Sequence, residues 1–168
     1  AVGAAVSPSQ TVPPLVEKEV AAGHLDLRSP FWMVANVPAR LREKALGAEG
    51  NMHGEGSEPV RSVVVASGTV QRVAMQASLD ESLRVSGFAM ADTPENAELL
   101  RDAVKGAIAA ARLHAQSRSP ELVNVLRDVE VHVTGTDVSV SGAVPVALLE
   151  KLAAEHKHRA ETGAKRQI

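Results

Sequence analysis

VEVHVTGTDVSVSGAV, residues 129–144, alternates so regularly that it decides what kind of structure to expect. Valines at every second position point one way, while Glu130, His132, Thr134, Ser139 and Ser141 point the other. Period-two alternation on both sides of Gly135-Thr136 reads as a β-hairpin with one buried face. PVALLEKLAAEHKHR follows as a helix that begins at Pro145 and buries Leu148, Leu149 and Leu152. Its last turns are basic, which suits the negative end of a helix dipole.

The same organisation recurs upstream. Val73, Met75, Ala77 and Leu79 share one side of a strand, with Ala74, Gln76 and Ser78 on the other. Asp80-Glu81 makes a tight connection, and Leu83, Val85, Gly87 and Ala89 continue the inward side. Val70 falls out of phase with Val73, which predicts a bulge near Gln71 and Arg72. TPENAELLRDAVKGAIAAARLHAQ then reads as a long helix, with Thr93 as N-cap, Pro94 at the first helical position and Glu95 complementing the dipole. Leu100, Val104, Ala107, Ile108, Ala111 and Ala115 form its apolar stripe. SPELVNVL makes a second, shorter helix from Ser119. Val-Ser-Gly stands at 85–87 and again at 140–142, in the second strand of each hairpin. That placement points to a β-β-α duplication, the alternative being chance recurrence in two half-buried strands.

Working towards the N-terminus, residues 1–14 carry three prolines and read as a linker or the tail of a preceding unit. LVEKEVAAG (15–23) forms a short helix, PFWMVANV (30–37) a strand, and PARLREKAL a helix opened by Pro38. GAEGNMHGEGSEP (47–59), with four glycines, reads as a flexible loop. The expected object is a single α+β domain over 15–160 with a basic tail at 161–168. It holds an antiparallel sheet with helices packed on one face and a polar opposite face. Val85, Val131, Val140, Leu100, Val104 and Leu149 are the expected shared core.

Composition narrows function by exclusion. A net charge of −2 lacks the basic balance of a nucleic-acid binder. Aromatic residues make up 2% of the chain, too few for a base-stacking platform or an aromatic-lined pocket. With no cysteine there is no disulfide framework, thiolate metal site or cysteine nucleophile. No run approaches the length of a membrane-spanning helix. The partner and the oligomeric state stay open.

Few residues suggest chemistry. His132 shares the polar strand face with Glu130, Ser139 and Ser141, a set that offers a base and a nucleophile. Nucleophilic catalysis also needs an oxyanion site and an orienting group, and no motif marks either. His156 and His158 are two apart, so on a helix they diverge, and they read as a solvated basic end. His53 falls in the glycine-rich loop and reads as solvated, and that loop lacks the Lys-Ser/Thr of a phosphate-binding loop. No catalytic, cofactor-binding or metal-binding residue is assigned. Trp32, between Phe31 and Met33, is either a core residue or the anchor of a contact with a neighbouring domain or chain. The candidate interaction surface is therefore Trp32, Glu130, His132, Ser139 and Ser141.

The order PFWMVANVP, loop, hairpin, TPENAELLRDAV helix, SPEL helix, hairpin, PVALLEKL helix resembles that of uncharacterised bacterial proteins, over about residues 25–155. Those are typically secreted or membrane-anchored and carry repeats of such modules. The resemblance implies an extracytoplasmic setting, periplasmic or in the cell envelope, and no known activity; the expected role is a non-catalytic interaction or structural module of a larger bacterial envelope protein. VEVHVTGTDVSVSGAVP is also similar to the hairpin of BON domains, which implies binding to a phospholipid or membrane surface. Those modules are shorter, and their helices are arranged differently.

Overall fold

The computed structural model describes residues 12–47, 58–116 and 119–154. Residues 1–11 of the expected 1–14 linker, most of the 47–59 loop with His53, the His156–His158 pair and the 161–168 tail lie outside these residues, while Pro14 opens a helix.

Helix α1 (Pro14–Ala21) precedes strand β1 (Phe31–Asn36), and α2 (Ala39–Leu46) and α3 (Glu58–Ser67) lead into the hairpin of β2 (Val70–Leu79) and β3 (Ser82–Ala91). Helices α4 (Pro94–Gln116) and α5 (Pro120–Arg127) connect it to the second hairpin, β4 (Glu130–Thr134) and β5 (Asp137–Pro145). A last helix, α6, covers 146–154. The five strands form one antiparallel sheet in the order β1-β2-β3-β5-β4, so the architecture is α+β.

Local chemistry explains most of the boundaries. Gly135 turns the second hairpin with φ +61°, a region that costs a Cβ-bearing residue about 1–2 kcal/mol. The ladder between β2 and β3 shifts between Val70 and Arg72, the bulge that the phase change predicts. Thr93 Oγ1, the expected cap, accepts from the Asn96 N–H at 3.2 Å, and Ser119 Oγ at the start of the next helix accepts from that of Leu122 at 3.4 Å, so both hold orphan helix donors. Pro145 closes β5 instead of opening α6, at the end of the ladder opposite Ser82. Its missing N–H is tolerated there.

Cross-strand partners share a face, so the register divides the sheet cleanly. One face carries Val73, Met75, Ala89, Val131, Val133, Val138 and Val140 beneath α4. Val70, Ala91, Ala97, Leu100, Val131 and Val138 form its buried cluster, with Ala66 of α3, Val104 and Ile108 packed against it. Along the α4 stripe, Leu100 and Ala115 are buried, Val104, Ala107 and Ile108 half-buried, and Ala111 is left exposed. Val85 and Leu149, expected in the core, stay half-buried outside the cluster, because α4 lies chiefly over β4 and β5.

Two features depart from simple alternation. Residues 60–67, to which the sequence assigned no element, lie in α3 despite the β-branched run Val63-Val64-Val65. Packing against α4 and α2 overrides a weak propensity here. Helix α1 and the segment 22–30 also cover half of the second face. That half is not polar, since Trp32, Val34, Ala74, Phe88 and Met90 fall on it, and Val16 and Leu25 are buried over it.

The Val-Ser-Gly copies meet in the middle of the sheet. Val85 pairs with Gly142, Ser86 with Ser141 and Gly87 with Val140. The two copies are thus exchanged by a local two-fold at the Ser86–Ser141 pair. Gly87 and Gly142 share a face of one sheet, as a β-β-α duplication requires.

Candidate functional site

Register arithmetic gathers the candidate residues into two rows across the second face. One row runs Trp32, Gln76, Ser86, Ser141, Glu130, and the next runs Val34, Ala74, Phe88, Ser139, His132. All five sequence candidates therefore lie on one face. Glu130, His132, Ser139 and Ser141 form a contiguous group at the β4–β5 end. Trp32 sits half-buried on the edge strand β1, three strand spacings from Ser141, or about 14 Å.

The part of this face around Ala74 and Phe88 is closed by a charged clasp. Glu19 of α1 is 1% exposed, and its two carboxylate oxygens accept from Arg72 Nη1 at 2.7 Å and His24 Nδ1 at 2.8 Å. The His24 ring stacks on Phe88 with centroids 3.5 Å apart, and its Nε2 lies 3.8 Å from Asp137 Oδ2. Burial pushes the Glu19 carboxyl up, but the bonds from His24 and Arg72 outweigh it and hold the group below its ordinary value. No local pattern announces this cluster, because Glu19 and Arg72 are 53 positions apart.

The rest of the face, from the turn end of β2 and β3 across to β5 and β4, is open. Ser29, Gln76, Ser78, Arg84, Ser86, Asp128, Glu130 and Ser141 border a shallow trough of about 500 Å³. The Gln76 carboxamide oxygen accepts from the Asp26 N–H at 2.6 Å, tying the 22–30 segment to the trough's rim. Arg84 pairs with Asp80 at 2.7 Å. The Ser82 N–H, aided by that guanidinium, holds the Asp80 carboxyl below its usual range. The hydroxyls of Ser78, Ser86, Ser139 and Ser141 make no hydrogen bond among the described residues. Gln76, Ser78, Arg84 and Ser86 join the surface only through the strand register, although Ser86 already stands in the repeated Val-Ser-Gly.

His132 carries no catalytic geometry within the described residues. Its Nε2 lies 3.5 Å from Glu130 Oε2, with both side chains about 70% exposed, and no hydrogen bond joins it to Ser139 or Ser141. An oxyanion-binding pair and a closed pocket, which a hydrolase needs around its nucleophile, are not formed beside it. Among the described residues no group of three His, Asp or Glu is placed to hold a metal ion, and no helix is long and apolar enough to cross a membrane. The basic segment 156–166, on which a membrane-surface reading depends, lies outside them. In comparisons with known proteins, no family model, curated protein or solved structure matches this chain.

Proposed function

We propose that this domain is a non-catalytic interaction module that docks a protein partner or neighbouring domain on the open, polar part of its second sheet face, which spans β2 to β4. The observation that carries the reading is the set of four unengaged hydroxyls, Ser78, Ser86, Ser139 and Ser141, on one flat surface beside the exposed pair Glu130 and His132. None has a hydrogen-bond partner among the described residues, so a partner with matching polar groups exchanges water contacts for protein contacts at little cost. The face is flat and polar, as the rims and wetter parts of protein interfaces are. The setting proposed is a larger bacterial envelope protein, and that rests on the resemblance of element order alone.

A photo-crosslinking amino acid placed at Ser139, in cells that produce the protein, tests this. A discrete adduct is expected from Ser139, weakened by Glu130→Arg, and absent when the probe sits at the exposed Lys105 of α4. Equal labelling from both positions, or none from Ser139, overturns the assignment.

A further inference from the structure

β1 ends the sheet, and among the described residues no strand pairs with its outer side. Its sequence, FWMVAN, contains no charge, proline or bulge, the devices that keep an exposed edge from recruiting another strand. The opposite edge, β4, carries Glu130 and His132 and is only five residues long. The Val37 N–H donates to Gln71 O at 2.8 Å, so by the antiparallel alternation Phe31, Met33 and Ala35 turn their backbone groups to β2. Trp32, Val34 and Asn36 therefore turn theirs outward.

The side chains on this edge are equally unguarded. Phe31 is 51% and Met33 40% exposed on the face that bears α4. Met33 also lines an apolar groove of about 470 Å³ that runs past Met75 to Gly87 under α2, where the half-exposed Leu41 joins it.

We propose that a second copy of this chain pairs with β1 in antiparallel sense, about a two-fold axis at Met33, joining the two five-stranded sheets into one. The strand itself selects this occupant. An isologous contact demands a self-complementary edge. A register centred on Met33 sets Trp32 against Val34, Phe31 against Ala35 and Met33 against its own equivalent, with every pair on a matching face. The outward groups of Trp32 and Val34 then close the ladder as hydrogen-bonded pairs, and an aromatic residue meets a β-branched one, a favoured cross-strand combination. The methionines at 75 and 33 of each copy form one row across the axis, which carries the apolar groove through the contact. The strand itself carries no charge, so no like charges oppose one another across the ladder.

Sedimentation of the purified chain between about 1 and 300 µM is expected to show a reversible monomer–dimer equilibrium. Met33→Lys and Phe31→Lys are each expected to raise the dissociation constant at least tenfold, equivalent to about 1.4 kcal/mol or more. Both positions are open enough to accept lysine, and thermal melting of each variant at low concentration checks that the monomer still folds. The native chain has no cysteine, so Met33→Cys introduces a single thiol. In the proposed register it opposes its own equivalent as a non-hydrogen-bonded pair, about 4.5 Å between Cα atoms, within the reach of a disulfide. Oxidation is expected to link the chains through this thiol, and not through Leu113→Cys on the exposed side of α4. A chain that stays monomeric throughout, or a dimer indifferent to Met33→Lys, overturns the proposal.

Discussion

The carboxylate of Glu19 lies 2.7 Å from the guanidinium of Arg72, an ion pair that joins α1 to the sheet beside the buried Val16. Removing one partner strands the other in a mostly buried site, together with His24. Glu19→Ala is expected to lower unfolding stability by about 3 kcal/mol. Chemical denaturation followed by circular dichroism measures this, and hydrogen exchange is expected to rise first over 14–30.

The same carboxylate gives that loss a pH dependence. Its folded pKa is below the ordinary value near 4.5, so its contribution is fully present above that value and is lost as the pH falls through the folded pKa. The stability gap between the native chain and Glu19→Gln is therefore expected to be constant near neutrality and to narrow below about pH 4.5. A gap that widens in acid would contradict the ion-pair assignment.

Leu100 tests the helix-on-sheet core. It is buried with Val131, Val138 and Ala97, and its truncation leaves a cavity that those neighbours cannot fill. Leu100→Ala is expected to cost about 2–5 kcal/mol, read from the denaturation midpoint.

Two glycines give opposite expectations. A Cβ at Gly68 would stand 2.9 Å from the Arg42 carbonyl oxygen and 2.5 Å from Leu46 Cγ, and the first of these is backbone that cannot step aside. Gly68→Ala is expected to destabilise by about 1–3 kcal/mol by forcing α2 away from the turn after α3. A Cβ at Gly87 meets nothing within 4 Å, so Gly87→Ala is expected to be neutral or to stabilise by up to about 1 kcal/mol. Parallel thermal melts of the two variants decide it.

His132→Gln separates the interaction reading from a hydrolytic one. The side chain is 70% exposed and, among the described residues, paired only with Glu130, so the substitution is expected to shift stability by less than about 0.5 kcal/mol. A hydrolytic activity present in the native chain and lost in this variant would make His132 catalytic and reverse the functional conclusion.

Where the chain alternates, the sequence was readable. Both hairpins, their turns, the bulge at Gln71 and the caps at Thr93 and Ser119 follow from residue spacing and local hydrogen bonding. Long-range relations were not. Phe88 and Ala74 sit at the outward positions of an amphipathic hairpin, and nothing local says that α1 crosses over to cover them. Helix α3 was hidden because Val63-Val64-Val65 favours a strand until α4 is in place to bury it. For the candidate surface, the group on 130–141 was visible from one hairpin alone, whereas its extension through Ser86 and Gln76 depends on which strands become neighbours.

The seam between β3 and β5 also governs how the molecule assembles. Each hairpin joins strands adjacent in the chain and closes on its own in microseconds. The seam pairs Ser82 with Pro145 and Met90 with Asp137, and all of α4 and α5 must be reeled in before those ladders meet. Loop closure of that length is the slow, entropically costly event. The β3–β5 seam is thus the ladder with the longest loop to close, and a chain in which it has not formed leaves β3 and β5 as unpaired edges.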